Sequence, residues 1–169
     1  MTPAPRLTPL TEADFATVAQ LGDTIWRAHY SKLISMAQIE YILTGRYSPE
    51  RLSAYVNASD RWLHILWLEN RPVGYCSYSL TTQPGELKLE QLYLLPELHG
   101  RGLGRFMLDH VEAEARRLDC TTIMLTVNKG NTSSIAVYDR AGFTVRESAV
   151  FDIGNGYVMD DFVMEKRIV

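Results

Sequence analysis

The segment Leu92-Tyr93-Leu94-Leu95-Pro96-Glu97-Leu98-His99-Gly100-Arg101-Gly102-Leu103-Gly104-Arg105 joins an apolar, strand-like run to a glycine-rich turn. The run from about Leu87 to Leu95 has strand character, and Pro96 ends it because proline offers no amide hydrogen to a β-ladder. Beyond the turn, Leu103, Met107, Val111, Ala115 and Leu118 recur at the spacing of one helix face. Thr121 to Val127 then reads as another strand. A strand, loop, helix and strand in that order form a crossover, which lays the two strands parallel.

Gly100, Gly102 and Gly104 stand where the strand hands over to the helix. Glycine lets backbone N–H groups turn toward one point and approach it closely, and the helix N-terminus adds partial positive charge there. A phosphate group suits such a point, and Arg101 and Arg105 offer ionic contacts to the same anion. The spacing matches neither Gly-x-Gly-x-x-Gly nor Gly-x-x-x-x-Gly-Lys-Ser/Thr, which counts against a dinucleotide or a P-loop nucleotide. The alternative is a tight connection that binds nothing.

Within the preceding strand the apolar residues change parity. Leu87 and Leu89 are odd-numbered, Leu92 and Leu94 are even, and polar Glu90 and Gln91 lie between them. Side chains alternate strictly between the faces of a strand, so this slip predicts a β-bulge at Glu90-Gln91 that splays the strand from its neighbour.

Working outward, Thr11 and Asp14 form a helix-start pair before Phe15, Val18, Ala19, Gly22, Ile25, Trp26 and His29, which fall at helical spacing. Ser35 with Gln38 has capping-box spacing for a second helix through Tyr41 and Leu43, and Ser48-Pro49 opens a third. Three helical pieces thus precede the first long strand. Trp62 to Leu68 and Val73 to Leu80 read as a hairpin about Glu69-Asn70-Arg71-Pro72. After Thr121 to Val127 come a loop at Asn128 to Asn131, a short helix from Ser133 to Ala141 and the C-cap Gly142. Two last strands flank Gly154-Asn155-Gly156, where Asn-Gly is a strong hairpin signal.

The 169 residues suit one domain spanning 1–169. Hydrophobic residues make up 46% and charged residues 22%, an ordinary globular balance. A net charge of -3 argues against binding nucleic acid non-specifically. No apolar run approaches the roughly 18 to 20 residues that cross a bilayer, and Met1 to Pro9 lacks the apolar stretch of a signal peptide, so the cytoplasm is the expected location. Cys76 and Cys120 show no Cys-x-x-Cys spacing, and His29, His64, His99 and His110 no metal-ligand spacing, so neither a disulfide framework nor a metal site is expected.

Two blocks resemble the GCN5-related N-acetyltransferases. One is His99-x-x-Gly102-x-Gly104 after Leu92 to Glu97, similar to that family's coenzyme A loop Gln/Arg-x-x-Gly-x-Gly/Ala, with His99 as the departure. The other, Asn131 to Phe143, resembles its Asn-led short helix ending in Tyr-x-x-x-Gly-Phe, here Tyr138 to Gly142-Phe143. The likeness covers roughly residues 60 to 169. It implies an α/β (α+β) fold with a mixed, mostly antiparallel sheet, a splayed central parallel pair and helices on both faces. It also implies acetyl-coenzyme A as donor. The diphosphate would lie on His99, Gly100, Arg101, Gly102, Leu103, Gly104 and Arg105, and the pantetheine arm beside the backbone of Leu92, Tyr93 and Leu94. Asn131 and Tyr138 complete the cofactor-binding set.

Acetyl transfer to an amine requires a neutral nitrogen, a polarised thioester carbonyl and a proton for the departing thiolate. Backbone N–H groups freed by the bulge, at Leu92 or Tyr93, suit the developing oxyanion. Tyr138 matches the family's proton-donating tyrosine, and an unperturbed tyrosine keeps its proton to about pH 10. Glu90 at the bulge is the candidate base, directly or through water. Neither cysteine has a motif-level base partner, which favours direct attack in a ternary complex over an acetyl-cysteine route.

The candidate acceptor residues are Trp26, Tyr30 and Glu90, with Tyr41, Phe151 to Gly154 and Asp160-Asp161 nearby. Trp26 and His29 also fall on the apolar helix face, where packing explains them, and Asp160 and Asp161 read as a solvated strand edge. The C-terminal run resembles bacterial polyamine and diamine acetyltransferases, which places a polyamine or other small primary amine first. Gln91 stands where some polyamine enzymes carry a second acid, which weighs against a strongly cationic substrate. A protein N-terminus or lysine, a non-catalytic acyl-coenzyme A sensor and a nucleotide-binding protein are the alternatives, and a homodimer is compatible with the family.

Overall fold

The computed structural model describes residues 3–168. The expectations for Met1 and Thr2 as part of a start without a leader, and for Val169 as part of the single domain, lie outside the described residues. In chain order the elements are β1 (Pro5–Pro9), α1 (Phe15–Tyr30), α2 (Met36–Arg46), α3 (Pro49–Ser53), β2 (Arg61–Leu68), β3 (Arg71–Leu80), β4 (Glu86–Leu94), α4 (Leu103–Arg117), β5 (Thr122–Asn128), α5 (Thr132–Arg140), β6 (Thr144–Gly154) and β7 (Tyr157–Arg167). The strands form one sheet in the order β1-β2-β3-β4-β5-β7-β6. Every pairing is antiparallel except β4 with β5.

The local signals act where the sequence puts them. Thr11 donates from its amide and its hydroxyl to the Asp14 carboxylate, at 3.0 and 2.9 Å. The Ser35 hydroxyl accepts from the Gln38 amide at 3.1 Å, and that of Ser48 from the Arg51 amide at 3.3 Å. These side chains occupy helix-start N–H groups that have no partner within the helix. Asn155 and Gly156 both have positive φ, 55° and 78°, as the tight turn between β6 and β7 requires. β1 is the one element the sequence reading left out. Prolines at both its ends disguise it, and they are tolerated because β1 is an edge strand paired only with β2.

Alternation along β3 shows how the helices cover the sheet. Tyr75 bonds Tyr47 at the end of α2, whereas Tyr78 lies 3.1 Å from the His110 ring nitrogen on α4. Odd and even side chains of a strand point to opposite faces, so α2 and α4 lie on opposite sides. β3 is accordingly buried from Val73 through Tyr78.

The central parallel pair is short. β4 and β5 pair only at Glu86↔Thr122, Leu87↔Ile123 and Lys88↔Met124, whereas β4 stays paired to β3 as far as Leu94 and β5 to β7 as far as Asn128. Past Lys88 the two strands diverge, and a cleft opens in the middle of the sheet.

Candidate active site

The bulge is the cause of that divergence. Ser77 pairs with Gln91 and Tyr78 with Leu89, so Glu90 is the extra residue without a partner on β3. A bulge places two successive side chains toward one side, and here Glu90 and Gln91 both meet groups from the helical region that precedes β2. Tyr55 donates to a Glu90 carboxylate oxygen at 2.9 Å. Tyr47 donates to Gln91 Oε1 at 2.7 Å, and Gln91 Nε2 donates to the Ser77 hydroxyl at 3.0 Å. Gln91 is buried, and its amide both accepts from Tyr47 and donates to Ser77, a pairing that a carboxylate, which only accepts, could not make.

The cleft has a volume of about 230 Å³ and gathers side chains from α1, α2, α5, β4, β5, β6 and β7. It brings together Glu90, Leu92, Tyr93, Leu94, His99, Asn131, Tyr138, Trp26 and Tyr30 from the sequence-derived set. Gly100, Arg101, Gly102, Leu103, Gly104 and Arg105 do not line it. They stand past its rim, at the start of α4.

Tyr138 is half-buried on α5, with its ring 5.7 Å from that of Phe143. Burial, and secondarily Tyr93, pushes its phenol above the ordinary tyrosine range, so it keeps its proton at neutral pH. Asn131 is buried and caps the same helix, its Oδ1 accepting from the Ser134 amide at 3.3 Å. Since that atom accepts, the His29 ring nitrogen 3.0 Å away donates to it, which ties α1 to α5 across the cleft. His99 is turned inward, Nε2 donating to the Leu94 carbonyl at 3.1 Å, and so braces the end of β4 against the loop.

In the loop, Gly100 and Gly102 have φ of 79° and 81°, a region that side-chain-bearing residues rarely enter. A Cβ added at Gly100, Gly102 or Gly104 would meet nothing within 4 Å. Leu103 contributes only backbone, because its side chain is buried in the core. Arg105 is held by Asp109 one turn on, at 2.9 Å, and Arg101 is exposed.

On the other side of the cleft Trp26 is 2% exposed and stacks on Tyr30 at 4.1 Å. Trp26 thus packs in the core, as its place on the apolar helix face implies, and it also lines the cleft. The Arg46 guanidinium stands 5.3 Å from the Trp26 ring centroid. Tyr41 serves the scaffold, donating to the Ile153 carbonyl at 2.9 Å, and Gln38 Nε2 donates to the Val158 carbonyl at 2.9 Å. These bonds fasten α2 to the C-terminal hairpin. The two aspartates separate. Asp160 is exposed and pairs with Lys129 at 2.9 Å, whereas Asp161 is 5% exposed and lines the cleft. The strand-edge reading of Asp161 is thus corrected: β7 lies between β5 and β6, so its inward residues are covered.

A family model described as the Acetyltransferase (GNAT) family matches residues 26–143. The chain belongs to the GNAT acetyltransferase family. Spermidine N(1)-acetyltransferase of Thermoplasma acidophilum is 25% identical over 162 residues, 94% of each chain. The crystal structure of PaiA N-acetyltransferase from that organism, in complex with coenzyme A, superposes with a TM-score of 0.82 at 21% identity, over 97% of this chain and 99% of that one. A GCN5-related N-acetyltransferase from Rhodopseudomonas palustris superposes with a TM-score of 0.80 at 19% identity, over 99% and 98%.

This GNAT protein is an acetyl-coenzyme A-dependent N-acetyltransferase. Its residues fit the donor: the glycine loop leaves clear space over the start of α4, and the β5-facing side of β4 from Leu89 to Leu94 has no strand partner among the described residues. Cys76 and Cys120 do not line the cleft, and burial pushes the Cys76 thiol up to about 12. Sequence reasoning missed Tyr55, Arg46 and the buried setting of Asp161. No spacing signals them, because the tertiary packing of the chain brings Arg46 and Asp161 to the cleft and Tyr55 against Glu90.

Proposed function

We propose that this GNAT enzyme acetylates a small primary amine, with a polyamine or comparable aliphatic amine as acceptor, by direct attack in a ternary complex. The observation that carries the reading is the placement of Glu90 and Tyr138 on two walls of one cleft, where β4 and β5 part. The 25% identity to a spermidine acetyltransferase supports the same substrate class.

Acetyl-coenzyme A, when bound, supplies an acetyl group activated as a thioester. The chain's residues do the rest. An amine attacks only as the neutral base, and Glu90, directly or through water, accepts the proton it must lose. Tyr55 holds the Glu90 carboxylate by donating to one oxygen, which leaves the other to accept the proton. Tyr138 retains the proton that a departing thiolate requires. Backbone N–H groups of Leu92 or Tyr93, left over where β4 has no partner, are the donors available to a developing oxyanion.

A thiol-release assay over polyamines, amino acids, aminoglycosides and peptides, with mass spectrometry of the products, tests the reading. Acetylation of aliphatic amines supports it. Turnover confined to peptides would replace it with protein acetylation, and the absence of turnover, with coenzyme A still bound, would replace it with a sensor.

A further inference from the structure

One buried carboxylate oxygen in the cleft has no hydrogen-bond partner among the described residues. Asp161 Oδ1 is inaccessible to solvent and has no hydrogen-bond donor among the described residues. A carboxylate so placed is costly unless something positive reaches it. Its surroundings specify what that something looks like. Met159, two residues earlier on β7, shares its face, and Phe151 on β6 lies directly opposite Met159. All three line the cleft. A carboxylate bordered by a thioether and an aromatic ring matches an ammonium group on an aliphatic stem, through ion pairing, cation–π attraction and apolar contact.

The neighbouring charges narrow the ligand further. Glu90, Asp161 and Arg46 line the cleft, and no ion pair joins Arg46 to either carboxylate among the described residues. Lys88, Arg46 and Lys129 act on Asp161 from a distance, and none forms an ion pair with it among the described residues, so the contact position at this carboxylate is left to a ligand. Glu90 is engaged with the reacting nitrogen, so the remaining place is for one further cation.

We propose that Asp161 is an acceptor-recognition residue that receives the second, non-reacting ammonium group of an aliphatic diamine. The inference rests on the reading of this cleft as an amine-acceptor site. Recognition is by one carboxylate at the far end of the acceptor, so a diamine suffices and the additional nitrogens of a longer polyamine add little. Because burial pushes Asp161 up to about 6, it is mainly ionised at neutral pH and available to a cation.

The test compares putrescine with n-butylamine, the same chain lacking the second nitrogen, in the acetyl-coenzyme A assay. Wild type is expected to favour putrescine by about ten- to hundred-fold in kcat/KM, the worth of a charge-assisted hydrogen bond. In Asp161→Asn the ratio should fall toward one, mainly through KM, while Asp160→Asn leaves it in place. Asp161→Glu, which keeps the charge on a longer arm, should keep the diamine preference and move the length optimum toward 1,3-diaminopropane. A ratio near one in wild type, or a ratio unaltered in Asp161→Asn, overturns the inference and leaves the proposed reaction standing. If wild type acetylates neither amine, the proposed reaction fails, and calorimetric titration of putrescine into coenzyme A-loaded protein decides the inference separately. Binding that is lost in Asp161→Asn sustains it, and absent or equal binding overturns it.

Discussion

Replacing Asp161 with asparagine should stabilise the folded protein at neutral pH, because the substitution removes a buried charge at nearly constant volume. Burial, with a smaller push from Asp160, raises the Asp161 carboxyl from the ordinary 3.8 to about 6, against the opposing pull of Lys88, Arg46 and Lys129. The folded state therefore holds this proton more tightly than the unfolded chain does. The associated stability is complete below about pH 3.8 and is lost as pH rises through about 6. At about 1.36 kcal/mol per pH unit, the gap corresponds to roughly 3 kcal/mol at pH 8, and water in the open cleft reduces it to about 1–3 kcal/mol. Urea denaturation of wild type and Asp161→Asn at pH 8 and near pH 4 measures the difference. The variant should be more stable by that amount at pH 8 and nearly equal to wild type near pH 4. Equal stabilities at pH 8, or an advantage of the same size at both pH values, would refute the argument that an ionised, unpartnered carboxylate costs the fold energy.

Tyr138→Phe should lower kcat by about a hundred-fold or more, leave coenzyme A affinity within a few-fold of wild type and keep the melting temperature, since only the hydroxyl is removed. The wild-type rate should show no falling limb up to pH 10, because burial holds the Tyr138 proton above the ordinary tyrosine range. Glu90→Gln should reduce kcat/KM by a similar factor. It should also lower the phenol of Tyr55 from about 12, which the Glu90 charge helps to raise after burial, and ultraviolet titration of the phenolate reads this directly. Gly104→Ala, in the first turn of α4 with open space around its Cβ, should stabilise the protein by up to about 1 kcal/mol in a melt. At Gly102, where φ is 81°, the same change to alanine forces a conformation that side-chain-bearing residues rarely adopt and should weaken coenzyme A binding about ten-fold by calorimetry, and unaltered affinity would remove the loop from the donor site.

Much of the site is legible in the chain because it depends on local rules. The change of parity at Glu90-Gln91 is a property of alternation alone, and the structure has its extra residue at Glu90. The helix starts at Ser35 and Ser48 and the Asn155-Gly156 turn are likewise decided within four residues. β1 fails this test: its prolines suppress strand character, and only the neighbouring edge of β2 makes a strand of it.

By itself, the order of residues determined the crossover about the glycine loop, the bulge that parts β4 from β5 and the helix that carries Tyr138. Each follows from backbone conformation and side-chain period over a few residues. Only the tertiary structure decided which charges share the cleft. It put Asp161 inside and Asp160 outside, made Gln91 a buried brace, turned His99 onto the Leu94 carbonyl, brought Arg46 to the cleft and set Tyr55 against Glu90. The physical reason is that burial and electrostatic partnership depend on which strands and helices become neighbours, and the order of neighbours in this sheet is not the order of the chain.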